Sequence, residues 1–180
     1  KNMAKILDKY VYIVLVGDSM ANVLYGHKNT HQISLDSIIQ HTKSVKKGIK
    51  KSLLVVDMPK GSYSNVKSAE KNAKHIIKVT KCEAIKIESN KKNYKIIEQL
   101  AKKNIPVMGH IGFTPQFKKK FSIQGQTKSQ ANNLLKEAKL IEKAGAFSIV
   151  LECLSPESAK LITNNLKMTK KRIWSSSYVD

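Results

Sequence analysis

The chain has 180 residues, 41% of them apolar and 26% charged, with 33 basic residues against 13 acidic ones and a formal net charge of +20. That length and apolar fraction allow one domain with a proper core and exclude a disordered chain. The longest apolar run, residues 11–16, is far too short for a membrane span, and Cys82 and Cys153 form neither a disulfide framework nor a zinc pattern, so a cytoplasmic protein is expected.

In chain order, Lys1, Asn2 and Met3 lead into a helix-like segment without a signal-peptide pattern. Residues 12–16 (YIVLV) are the first of five short apolar runs; the others are 52–56, 84–87, 105–108 and 147–151. Their apolarity is continuous rather than alternating, which predicts strands covered on both faces, as in a parallel sheet. Pro106 fits only at a strand's beginning. Between the runs, Ser34 predicts an N-cap, with Leu35, Ile38, Ile39, Val45 and Ile49 as a helical stripe. Val66, Ala69, Ala73, Ile76 and Ile77 make a second stripe, Ile96, Ile97 and Leu100 a third, and Leu134, Leu135, Ala138 and Ile141 a fourth that Gly145 stops. Ser155, Pro156 and Glu157 open a fifth helix with cap, proline and first-turn acid in order. Strand–helix alternation at this spacing predicts an α/β fold built of βα units.

The charge invites a nucleic-acid reading, and the residue types argue against it. Of the 33 basic residues only Arg172 is arginine. Bidentate recognition of bases and phosphates favours arginine. The lysines are spread along the whole chain without aromatic interleaving. Isoleucine (19) and asparagine (12) are abundant too, and all three have A/T-rich codons, so a biased genome accounts for the composition.

What stands at the carboxyl end of each run is more informative. The first delivers Gly17, Asp18 and Ser19, the second Asp57, the third Lys86 and Glu88, the fourth Gly109 and His110, and the fifth Glu152. In a (β/α) barrel those ends share one face, where catalysis takes place. Four of only 13 acids occupy these positions. Asp18, Asp57 and Glu88 are hard oxygen donors that suit Mg²⁺, an ion that polarises a carbonyl and stabilises an enolate. Lys86 adds positive charge beside such an oxyanion, Glu152 is a candidate general base, and His110 a second acid/base or donor. Ser19 with nearby N–H groups is a candidate carboxylate binder. Taken singly, an aspartate after a strand is a turn or cap residue and a histidine between glycines a turn residue. Lys86, flanked by Ile85 and Ile87, instead needs a buried partner, and Glu88 points to the same side of the strand. His27, His31, His41 and His75 lack metal-ligand spacing, and Cys153 has no basic partner.

Val16-Gly17-Asp18-Ser19, His41-Thr42-Lys43, residues 57–63 (DMPKGSY), 106–116 (PVMGHIGFTPQ), Gln124-Gly125 and Val150-Leu151-Glu152-Cys153 resemble, in this order, the ketopantoate hydroxymethyltransferase family. The resemblance covers roughly residues 3–168, and the stretch 106–116 is its most specific part. It implies a (β/α)8 TIM barrel of the phosphoenolpyruvate/pyruvate-binding type. It also implies Mg²⁺ and 5,10-methylenetetrahydrofolate, with hydroxymethyl transfer to 2-oxoisovalerate giving ketopantoate for pantothenate and coenzyme A. By the same resemblance Asp18, Asp57 and Glu88 are metal carboxylates, and Ser19, Asp57 and Lys86 contact the 2-oxoacid. Asp18 and His110 lie in the same substrate site, Glu152 accepts the proton, and the assembly is a homo-oligomer.

Departures from the family pattern are Ser89-Asn90 where it has two glycines, and a shortened loop between Gln116 and Gln124 carrying Phe117 and three lysines. Only five strands are counted where the barrel needs eight, so an incomplete barrel is expected over residues 1–168. The chain's only arginine and tryptophan fall in residues 169–180, which read as an atypical tail translated out of frame. Two other readings stay open: an inactive, degenerate relative, and a basic nucleic-acid-binding protein that reuses the scaffold.

Overall fold

The computed structural model describes residues 1–90, 93–118 and 120–173. It divides into two units, residues 1–86 with 104–106, and residues 87–103 with 107–180. The division passes through one strand.

In the first unit, helix α1 (Asn2–Leu7) precedes strand β1 (Ile13–Val16), short helix α2 (Met20–Val23) and a 3-10 turn at Thr30–Gln32. Helix α3 (Leu35–Lys46), strand β2 (Leu53–Asp57), helix α4 (Val66–Thr80) and strand β3 (Ala84–Glu88) follow. β1 pairs with β2 and β2 with β3, both parallel, and Asp57 lies opposite Lys86 in the register. Continuous apolarity has the expected meaning: Leu54, Val55, Val56, Ile85 and Ile87 have no exposed surface. Ser34 caps α3 by accepting the Ser37 N–H, as its position predicted. α4 begins with a reciprocal box between Asn65 and Ser68 that the apolar stripe alone did not reveal.

Asp8 ties the end of α1 to the chain entering β2. Its carboxylate accepts N–H groups from Lys50 and Lys51 (both 3.0 Å) and Ser52 (2.8 Å). The Ser52 N–H above all, with those of Lys51 and Lys50, draws its pKa from 3.8 to about 2 against the opposing effect of burial. Because the folded value lies below the unfolded one, this stabilisation is complete above the unfolded pKa and is lost as pH falls towards 2. The urea midpoint of Asp8→Asn should therefore fall below wild type at pH 7, with the gap closing by pH 2. Equal midpoints at pH 7 would show that the clamp contributes nothing.

In the second unit, the last two residues of β3 lead through helix α5 (Tyr94–Lys102) to strand β4 (Val107–Gly112). Helix α6 (Lys128–Lys143), strand β5 (Ser148–Glu152), helix α7 (Pro156–Asn165) and strand β6 (Thr169–Ile173) complete it. β4–β5 and β5–β6 are parallel pairs. α7 opens as read, with Ser155 accepting the Ser158 N–H and Pro156 in the first turn. α6 ends before Gly145, whose φ of +92° lies in the region that favours glycine.

Two expectations change. His110 and Gly109 do not follow the fourth strand but lie inside it, His110 opposite Val150. Gly109 permits this, because a Cβ there would stand 2.5 Å from Ile141 Cγ2 of α6. The described residues also hold six strands rather than five. Thr169–Ile173, expected in the atypical tail, pairs with β5 from Ser148↔Thr169 to Glu152↔Ile173. Residues 174–180 of that tail lie outside the described residues.

Candidate active site

Each unit gathers part of the polar set foreseen at the strand ends. In the first, Asp57 is the last residue of β2 and Lys86 stands opposite it on β3. Lys86 Nζ donates to Asp57 Oδ2 at 2.6 Å, with both side chains 5% exposed or less. The Asp18 backbone N–H reaches the same oxygen at 3.4 Å, and Asp18 is itself buried. Lys86 thus finds its buried counter-ion across the sheet in Asp57. Ser19, expected to help hold a carboxylate, starts α2 on the exposed surface.

In the second unit, Glu88, His110 and Glu152 come together. His110, on β4, is buried between two carboxylates, with Glu88 Oε1 3.6 Å from Nδ1 and Glu152 Oε2 3.1 Å from Nε2. Glu152 ends β5 and keeps 19% of its side chain exposed, so it is the member of the set that a ligand can reach. Glu88 Oε2 also accepts the Gln116 N–H at 3.0 Å, and its backbone carbonyl accepts from Asn93 Nδ2 at 2.6 Å. Gln116, wholly buried, was missed as a site residue; its place at the end of the stretch 106–116 was the only signal for it. Glu88, expected as a metal carboxylate with Asp18 and Asp57, lies in the second unit, where it flanks His110. Among the described residues no three His, Cys, Asp or Glu side chains are gathered as a preformed metal centre.

Gly112 fixes where Glu152 stands. It has φ +99°, and a Cβ there would lie 2.0 Å from the Glu152 carbonyl oxygen. That carbonyl accepts the Phe113 N–H at 2.8 Å. Cys153, next along, is buried, and burial together with the Glu152 charge pushes its thiol up to about 11, which leaves it protonated and inert at neutral pH.

Parallel strands with intervening helices, and acid, base and cation at the strand ends, define a (β/α)-barrel enzyme class. Solved structures agree on the fold. A phosphonomutase-like protein from Burkholderia cenocepacia J2315 matches 95% of this chain and 72% of its own with a TM-score of 0.73 at 11% identity. Phosphonopyruvate hydrolase, solved with oxalate and Mg²⁺, matches 94% of this chain and 62% of its own with a TM-score of 0.70 at 10% identity. The fold is an incomplete (β/α)8 barrel, with 2,3-dimethylmalate lyase of the PEP mutase/isocitrate lyase superfamily among its neighbours at a TM-score of 0.64.

The family model for ketopantoate hydroxymethyltransferase matches residues 1–180, and the chain belongs to that family. The 3-methyl-2-oxobutanoate hydroxymethyltransferase of Pelagibacter ubique is 48% identical over 180 residues, covering 100% of this chain and 70% of its own length. That of Clostridioides difficile is 44% identical over 172 residues, covering 93% and 62%. That of Pyrococcus furiosus is 40% identical over 173 residues, covering 93% and 60%. The chain thus spans about two thirds of the length of these curated relatives.

Proposed function

We propose that the chain transfers a hydroxymethyl group from 5,10-methylenetetrahydrofolate to 2-oxoisovalerate, giving ketopantoate in cytoplasmic pantothenate biosynthesis. The relatives' names support the reaction, and the buried Asp57–Lys86 pair beside Asp18 carries it structurally. Stability alone gives little reason to bury an ammonium and two carboxylates, and the carboxyl ends of parallel barrel strands are where such groups meet a ligand. Among the described residues, no helix is long and apolar enough to cross a membrane.

Asp18 and Asp57 fit a Mg²⁺ ion, which takes one or two carboxylates and fills its remaining positions with water and substrate oxygens. When bound, that ion supplies positive charge to a 2-oxoacid carbonyl. Lys86 balances the Asp57 charge and offers an ammonium to the same oxygen. Ser19, exposed at the start of α2, is proposed to help hold the 2-oxoacid carboxylate. Glu152 takes the C3 proton, and the C–H electron pair moves into the carbonyl to form the enolate. His110, 3.1 Å away, steadies the Glu152 carboxylate, while Glu88, itself held by the Gln116 N–H, flanks His110 on the other side. Water and the donor methylene yield tetrahydrofolate and a one-carbon aldehyde. C3 bonds to its carbon, and its oxygen takes the proton to become the new hydroxyl.

Purified chain given Mg²⁺, 2-oxoisovalerate and 5,10-methylenetetrahydrofolate should form ketopantoate, and EDTA should suppress it by at least tenfold. Soluble, folded protein that forms none would leave the degenerate reading in place.

A further inference from the structure

Within the second unit, the peptide group that joins Glu88 to Ser89 is held at both edges. Its carbonyl oxygen accepts from Asn93 Nδ2 at 2.6 Å, and its N–H donates to the His110 carbonyl at 2.8 Å. A peptide group is planar, so two such bonds fix its orientation and with it the ψ angle of Glu88. Glu88, Ser89, Asn93 and His110 are all buried, which leaves water little part in replacing either bond. Asn93 forgoes an ordinary role to make its bond. It stands at the N-cap of α5, where an asparagine side chain usually accepts an N–H of the first turn. Ser34, Asn65, Thr127 and Ser155 each do so for the helix that follows them. Asn93 does not, and its backbone is not extended, with φ −106° and ψ 10°. Its side chain turns back to the strand instead, Nδ2 on the Glu88 carbonyl and Oδ1 facing the Asn90 N–H at 3.4 Å.

We propose that Asn93 is a positioning residue for proton removal: by fixing the Glu88–Ser89 peptide it aims the Glu88 carboxylate at His110, which holds Glu152. The assignment rests on the reaction proposed above, and Asn93 acts in it only through Glu88. One Glu88 oxygen lies 3.6 Å from His110 Nδ1 while the other accepts the Gln116 N–H at 3.0 Å. Freeing the peptide lets that carboxylate swing, His110 loses a flanking charge, and the half-buried Glu152 loses a fixed neighbour. A base displaced by a fraction of an ångström loses rate without losing substrate affinity. Ser89 makes a separate tie, its Oγ donating to Glu137 Oε1 of α6 at 2.7 Å. Neither Ser89 nor Asn90 has a positive φ, so side chains rather than left-handed backbone set this turn.

Two NMR readouts on the 180-residue chain test this: C3 proton exchange of 2-oxoisovalerate in D₂O with Mg²⁺, and the ring signals of isotope-labelled histidines. Asn93→Ala should lower the exchange rate at saturation about tenfold, with KM within about twofold of wild type. Asn93→Asp should lower it as much, because aspartate starts a helix as well as asparagine does but offers the Glu88 carbonyl no donor. Ser89→Ala, which removes only the tie to Glu137, should stay within about twofold. The His110 ring signal, assigned by its loss in His110→Gln, should shift in both Asn93 variants. His27, His31, His41 and His75, all in the first unit, should keep theirs, which also reports that the variants fold. A wild-type exchange rate in Asn93→Asp, or a His110 signal unmoved in both variants, would overturn the proposal and leave Asn93 to the start of α5. If wild type exchanges no proton but the His110 signal shifts as expected, the reaction fails while the hold of Asn93 on Glu88 stands.

Discussion

Replacing Lys86 with methionine should destabilise the first unit by about 3–5 kcal/mol, the cost of leaving a buried carboxylate without its counter-charge. Methionine keeps the length and apolar stem of lysine, so packing is largely preserved and the loss is electrostatic. The Lys86–Asp57 contact is 2.6 Å between side chains exposed by 5% and 2%, a setting in which water screens little. The double variant Asp57→Asn with Lys86→Met should recover most of that loss, since a buried ion pair and a neutral pair of similar volume differ little in stability. Ketopantoate formation should vanish in both. Urea unfolding of the four members of the cycle measures the coupling. A change below about 1 kcal/mol in Lys86→Met, the range of exposed ion pairs, would mean that water reaches the pair freely.

Gly112→Ala should cost about 4 kcal/mol, from left-handed backbone strain together with a steric clash. The new methyl would sit 2.0 Å from the Glu152 carbonyl oxygen and 2.9 Å from Leu154 Cδ2, so either β4 or the end of β5 has to move. Gly26→Ala separates the two causes. Gly26 has φ +65° but nothing within 4 Å of a Cβ, so it should show only the strain, about 1 kcal/mol. Similar losses at both glycines would mean that the close approach to Glu152 contributes nothing. Activity should fall further in Gly112→Ala than stability alone explains, because the clash acts on the residue proposed to remove the proton.

Much of this arrangement was legible in the sequence because burial on both faces writes itself as unbroken apolar runs. β2, β3 and β5 lie where those runs predicted, each ending in its carboxylate. Caps with a local signature, Ser34 and Ser155, were read directly. The misses share a cause: they depend on partners distant in sequence. Gly-His-Ile-Gly does not look like a strand, and β4 runs through it only because Ile141 of α6 packs against Gly109 and β5 supplies the register. β6 is largely polar and is a strand by virtue of pairing with β5. The ionisable residues proposed for the site were named from their positions at or near strand ends, whereas Gln116 was not, and the hydrogen bonds among them were not legible. Lys86, expected to face Glu88 two residues on, stands opposite Asp57 on the neighbouring strand and donates to it. The contacts of Glu88 with His110 and the Gln116 N–H had no local signal in the sequence. Ser89 and Glu137, 48 residues apart, carry no local signal for their hydrogen bond.

The basic charge is now easier to place. With 33 basic residues and 13 acidic ones, carboxylates are scarce, yet Asp57 and Glu88 are buried at strand ends beside a lysine and a histidine. Against that lysine-rich background these buried acids are the ones proposed for the site.

The proposed proton removal by Glu152 can be read by solvent exchange, without the folate half of the reaction. 2-Oxoisovalerate incubated in D₂O with Mg²⁺ and the chain should exchange its C3 proton, followed by NMR. Glu152→Gln should slow that exchange by about 10²–10⁴-fold, the usual worth of a positioned general base. Equal exchange in the two proteins would contradict the assignment of Glu152.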